Sequence, residues 1–87
     1  MPISPTVLVA SDDAFELATL SAALRLQSIN VVAEASTDEI ADSLYKFLSP
    51  QVVLIDLQFS GAEALKLVNK FRKVNPSLGI VLMTACP

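Results

Sequence analysis

The sequence predicts an α/β domain, a three-layer sandwich built on a parallel sheet in strand order 2-1-3-4. Short apolar runs at Thr6–Ala10, Asn30–Glu34, Gln51–Ile55 and Gly79–Met83 alternate with stretches of helical periodicity. The third run is continuously apolar rather than alternating, as a strand covered on both faces must be. Polar groups that can do chemistry stand where these runs end: Asp12 and Asp13 after the first, Asp56 after the third, Thr84 after the fourth.

Taken in order, the first strand follows a Pro-bracketed start and leads into a helix from about Ala14 to Gln27. Asp13 with Glu16 three residues later makes a capping-box pattern, and Leu17, Leu20 and Leu24 supply the buried stripe. The second strand is short and ends on Glu34, as suits an edge. Ser36-Thr37-Asp38-Glu39 opens the next helix, Ile40, Leu44, Phe47 and Leu48 fall on one face, and Pro50 stops it. After Asp56, Ser60 and Glu63 form a third capping box, with Leu65, Val68 and Phe71 as the stripe and Asn75-Pro76 as the stop. The fourth strand, Gly79–Met83, is again β-branched and apolar.

Eighty-seven residues make one domain at most, and 53% of them are hydrophobic, with a mean hydropathy of +0.57. Disorder is excluded by that richness. The net charge of −3 and the scatter of six basic residues leave no footprint for nucleic acid, and the lysines at 66, 70 and 73 with Arg72 read as a solvated helix face. The lone Cys86 allows no intramolecular disulfide, which suits a reducing cytoplasm. Histidine is absent, removing histidine triads and most zinc sites. No run is long enough to span a membrane and no basic leader is present.

If the first strand reverses the winding direction, the crevice between strands one and three is the ligand-binding switch point, and Asp12, Asp13 and Asp56 gather there. Two unit charges about 5 Å apart repel by roughly 3 kcal/mol at an effective dielectric near 20. Such a cluster calls for protons or a cation, and Mg²⁺ suits one or two carboxylates plus water and phosphate oxygens. Asp56, ending the central strand, is then the natural nucleophile toward a phosphoryl donor, and Thr84 the hydroxyl for its oxygens. Each has a plainer reading: Asp12 and Asp13 as helix caps, Asp56 as a turn acid, Thr84 as an ordinary strand end.

The segments Val7-Leu8-Val9-Ala10-Ser11-Asp12-Asp13, Val31-Val32-Ala33-Glu34-Ala35-Ser36, Val52-Val53-Leu54-Ile55-Asp56-Leu57 and Ile80-Val81-Leu82-Met83-Thr84-Ala85 resemble the receiver domains of two-component response regulators, nearest to nitrate-response and LuxR-type transcription regulators. The resemblance covers the whole chain. It implies a flavodoxin-like, CheY-like fold and a non-enzymatic phosphoacceptor, in which Asp56 takes phosphate from a sensor histidine kinase. It also implies Mg²⁺ held by the acidic pair, Asp56 and the carbonyl of Gln58.

Departures accompany the likeness. An ungapped match puts Ser11 and Asp12, rather than Asp12 and Asp13, on the family's acidic pair. Phe59-Ser60-Gly61 stands where Met-Pro-Gly is usual, and Ala64 replaces a customary glycine. The family's fourth helix, fifth strand with its phosphate-binding lysine, and fifth helix have no counterpart in residues 1–87, so the receiver reads as incomplete. Strand four is then expected to be a bare apolar edge, and the chain a homo-oligomer. The competing reading is a receiver-like module that acts through dimerisation without taking phosphate. A flavodoxin-like ligand binder is a third, unsupported by any Gly-rich loop, since Gly61 and Gly79 are the only glycines.

Overall fold

The computed structural model describes residues 5–56 and 62–83, the side chains of 62–64 excepted. In chain order the elements are β1 (Thr6–Ala10), α1 (Ala14–Leu26), β2 (Asn30–Ala35), α2 (Asp38–Leu48), β3 (Val52–Asp56), α3 (Ala62–Val74) and β4 (Gly79–Met83). The sheet is parallel in order β2-β1-β3-β4, so the expected architecture is the observed one.

Side chains alternate across the sheet, and both faces are apolar. Leu8, Ala10, Val53 and Ile55 face one way and pack with Ala41, Tyr45, Leu67, Phe71 and Leu78. Val7, Val9, Val52 and Leu54 face the other way, against Leu17, Leu20 and Leu24 of α1. The chain therefore places α1 on one face and α2 with α3 on the opposite face, because the step from β1 to β2 and the step from β2 to β3 run in opposite directions across the sheet.

The helical stripes hold for α1 and in part for the other two, where Leu44, Val68 and Phe71 pack on the core as expected. Leu17 is buried and Leu20 and Leu24 half-buried, as expected. In α2 the core residues are Ala41 and Tyr45, while Phe47 is 83% exposed and Ile40 42%. In α3 they are Leu67 and Phe71, and Leu65 points outward. The cause is one aromatic pair. Tyr45 and Phe71 stack with ring centroids 4.4 Å apart, and this contact fixes which face each helix turns inward. Asp42 adds a polar tie above it, bonded to Lys46 at 3.2 Å and Lys70 at 3.4 Å. Partial burial pushes the Asp42 carboxyl up, but the two ammonium groups outweigh it and hold it below its ordinary value.

Two ties fix the ends of the central strands. Gln51 N–H donates to Thr6 O and Oγ1, both at 3.0 Å, and Gln51 Oε1 accepts from Thr6 N–H at 3.1 Å. Arg72 donates to the carbonyl of Leu78 at 2.8 Å and closes the turn into β4. Gly79 fits closely there: a Cβ would lie 3.3 Å from Val52 Cγ2, and that side chain would have to shift. Ser49 ends α2 in the left-handed region, its N–H on the carbonyl of Tyr45 at 2.8 Å. The β4 strand carries exposed Val81 and Leu82, as the expectation of an apolar fourth strand had it. The capping box at Ser60 and Glu63 lies outside the residues whose side chains are described.

One buried group is poorly served. Ser21, on the inner face of α1, is fully buried and its Oγ has no hydrogen-bond partner among the described residues. An unsatisfied buried hydroxyl costs about 1–3 kcal/mol. Ser21→Ala is expected to stabilise the fold by about 1 kcal/mol, read as a higher midpoint in urea denaturation with an unchanged slope.

Candidate functional site

The site is set by the register of two strands. Val7 pairs with Val52, Leu8 with Val53, Val9 with Leu54 and Ala10 with Ile55. The next residues in line are Ser11 and Asp56, and they meet: Ser11 Oγ donates to Asp56 Oδ2 at 3.2 Å, with both residues essentially buried. Ser11 is itself held by its backbone N–H on the carbonyl of Ala35 at 3.0 Å, so the β1–β2 ladder fixes its position.

The two aspartates expected to line the crevice do different things. Asp13 is the N-cap of α1, its Oδ1 accepting from Phe15 N at 2.9 Å and Glu16 N at 3.1 Å, while its own N–H donates to Ser11 Oγ at 3.2 Å. Asp12 occupies the bend between, and is exposed. Asp56 sits where the sequence puts it, at the carboxyl end of β3. Gln58 and Thr84 lie outside the described residues.

Glu16 joins the group, a residue read in the sequence only as a capping-box partner. Its carboxyl is raised above the ordinary value of 4.5, first by loss of water, then by the charge and hydrogen bond of Asp56 and the charges of Asp13 and Asp12. Loss of water is the larger cause, and the neighbouring acids add to it.

Sequence reasoning put Ser11 on the family's acidic pair without pairing it to Asp56, and missed Glu16 as a site residue. The Ser11–Asp56 pairing was readable from register, since the bonded pair is 45 residues apart and every β1–β3 partner shares that offset. Glu16 was masked by its second plausible role at the helix start. A recess of about 370 Å³ beside the site is lined by Asp13, Phe15, Glu16, Thr19 and Leu20. Among the described residues no three acidic side chains converge closely enough to enclose a metal. The donors present at the strand ends, carboxylate and hydroxyl oxygens, are of the kind that Mg²⁺ takes together with water.

Comparison with known proteins places this arrangement. The family model of the response regulator receiver domain matches residues 7–86. The chain belongs to that family. A curated relative, a cyclic di-GMP phosphodiesterase of Thermotoga maritima, is 32% identical over 80 residues, which is 92% of this chain but 21% of the relative. The signal receiver domain of NarL from Mycobacterium tuberculosis superposes with a TM-score of 0.86 at 28% identity, over 99% of this chain and 70% of that one. PhyR of Bartonella quintana, an anti-anti-sigma factor, shares the fold with a TM-score of 0.86 at 21% identity, over 98% of this chain and 35% of that one. The receiver chain thus spans about a fifth of the curated relative and about a third of PhyR. Among the described residues of this receiver no helix is long and apolar enough to cross a membrane.

The raised Glu16 carboxyl has a signed consequence. A carboxyl with a higher value in the folded state stabilises the fold below its unfolded value, and that stability is lost as pH rises through the folded value. Glu16→Gln is therefore expected to be more stable than wild type at pH 7, with the difference closing as pH falls through the raised folded value and gone below 4.5, in paired thermal melts across that range.

Proposed function

We propose that this receiver takes a phosphoryl group from a sensor histidine kinase onto Asp56, in the cytoplasm, as the input of a two-component regulator of transcription. The observation that carries the reading is Asp56 itself, a carboxyl group only 1% exposed at the end of a central strand, held by Ser11 Oγ at 3.2 Å. A buried carboxylate amid like charges is costly, and it is retained where charge is the working feature.

In the transfer, an Asp56 oxygen attacks phosphorus, the P–N bond to the donor imidazole breaks, and the imidazole nitrogen keeps the electron pair. Ser11 holds Oδ2 by its hydrogen bond, which orients the carboxylate. Asp12, Asp13, Asp56 and the carbonyl of Gln58 are the residues that would hold Mg²⁺, with Asp13 using its Oδ1 on the helix cap. When bound, Mg²⁺ supplies positive charge that screens the phosphoryl oxygens. Thr84 is the hydroxyl assigned to those oxygens. The domain itself turns over no separate substrate.

A second reading has its own support. Ser11 stands beside Asp56 where the family likeness leads to an acid, and its hydroxyl already occupies Oδ2. A receiver that works by protein contacts alone would tolerate that exchange.

Mg²⁺-dependent labelling with a small acyl-phosphate donor separates the two. Wild type is expected to take up one phosphoryl group per chain and Asp56→Asn none. Ser11→Asp adds a charge near the cation and is expected to lower the Mg²⁺ needed for half-maximal labelling by on the order of tenfold. If wild type and Asp56→Asn both stay unlabelled at saturating Mg²⁺, the second reading replaces the first.

A further inference from the structure

Ser11 is held by its backbone and directs its side chain to Asp56. Its N–H donates to the carbonyl of Ala35 at 3.0 Å, and the residue is fully buried. Its Oγ accepts from the backbone N–H of Asp13 at 3.2 Å and donates to Asp56 Oδ2 at 3.2 Å. The direction of this chain of bonds is forced. A backbone N–H can only donate and an ionised carboxylate can only accept, so the one proton of the hydroxyl between them goes to Asp56. The Asp13 N–H, by donating into Oγ, polarises the O–H and makes it a better donor. Ser11 is 0% and Asp56 1% exposed, so the bond acts where water screens it least.

A hydroxyl that donates to a carboxylate stabilises the form that carries the charge. When an oxygen of Asp56 bonds to phosphorus, the carboxyl becomes a neutral acyl group and the charge resides on the phosphoryl oxygens. Whichever carboxyl oxygen carries the phosphorus, Ser11 then faces a weaker acceptor than the free carboxylate. The bond therefore favours the unphosphorylated state over the acyl phosphate.

We propose that Ser11 is a positioning residue that shortens the life of the phosphoryl group on Asp56, acting through the carboxylate that leaves; this rests on the phosphoacceptor reading above. In the hydrolysis, a water oxygen bonds to phosphorus and the P–O bond to Asp56 breaks. The carboxylate keeps the electron pair, and the proton lost by the water passes to solvent. In a loose transition state negative charge is already returning to the carboxyl group, and the proton of Ser11 is aimed at it. In the forward step the same bond acts the other way. Charge leaves the carboxylate as phosphorus is captured, and part of the bond is lost.

The size of the effect follows from the length of the bond. At 3.2 Å it is long for a hydroxyl on a carboxylate, so its effect belongs at the low end of the range for charged partners. A factor of about five in rate is expected, the equivalent of about 1 kcal/mol. A Ser11 that only oriented Asp56 would leave a different mark: its loss would slow capture of the phosphoryl group and would not delay departure.

The test is a split between capture and loss. Wild type, Ser11→Ala and Ser11→Cys are labelled with acetyl phosphate at saturating Mg²⁺, the donor is removed by rapid gel filtration, and the phosphorylated fraction is followed by intact mass. Ser11→Ala is expected to keep its phosphoryl group about fivefold longer than wild type while labelling at least as fast. Ser11→Cys, close in volume but a weaker donor, is expected to fall between the two. If circular dichroism shows that Ser11→Ala does not fold, the lifetime of Ser11→Cys against wild type decides alone. Equal lifetimes, or slower labelling without a longer lifetime, overturn the proposal and leave the phosphoacceptor reading standing. A wild type that takes no label at saturating Mg²⁺ overturns that reading, and this role of Ser11 with it.

Discussion

The in-register pairing of β1 with β3 is the constraint on which the rest of this receiver depends. Once Ala10 stands opposite Ile55, Ser11 must stand opposite Asp56, and no side-chain adjustment can put Asp12 there instead. A one-residue slip would turn Leu8 and Ala10 out of one core and Val7 and Val9 out of the other, a loss that no polar gain at the strand ends could offset. The hydrophobic cores on the two faces therefore decide which polar residue touches the buried carboxylate. The chemistry of the site is downstream of the packing.

That dependence explains why the fold was legible and the site only partly so. Four apolar runs with strand spacing and three helical stretches specify the architecture almost without regard to detail, since local pattern and sheet topology point the same way. The acids at the strand ends were equally plain. Their division of labour was not, because Asp13 satisfies both descriptions offered for it, crevice acid and helix cap, and only geometry shows its Oδ1 on the N–H groups of Phe15 and Glu16. In α2 the pattern misled in part through residue type. Ile40 and Phe47 looked like core by hydrophobicity, yet Ala41 and Tyr45 lie inward because a small residue lets the helix approach the sheet and the ring of Tyr45 fills the space against Phe71. Periodicity finds a helix more readily than it finds which of two apolar faces is inside.

The same ambiguity in α1 had a different resolution. Its leucines at 17, 20 and 24 pack on the sheet as the pattern requires, but the helix has a second apolar side that the sheet does not use. One explanation, low selection on a surface, does not fit well: random surface substitution introduces charge, and the outward positions carry none over three turns. Exposed large apolar side chains stand on the other elements too, with Phe47 on α2, Leu65 and Val74 on α3, and Val81 and Leu82 on β4.

The outer face of α1 bears on the site because both features share Asp13. Its carboxylate fixes the first turn of α1, from which Phe15 projects outward and Glu16 reaches toward Asp56. Any event that draws Asp13 toward a cation weakens the cap by about 1 kcal/mol and loosens the first turn of α1. Any contact that immobilises Phe15 makes the cap harder to release. By linkage, a cation that drew Asp13 off the cap and a contact that ordered the first turn of α1 would each weaken the other by the same factor. A cation that left Asp13 on the cap would be uncoupled from that turn, because the hydrogen bonds to Phe15 and Glu16 would be unchanged.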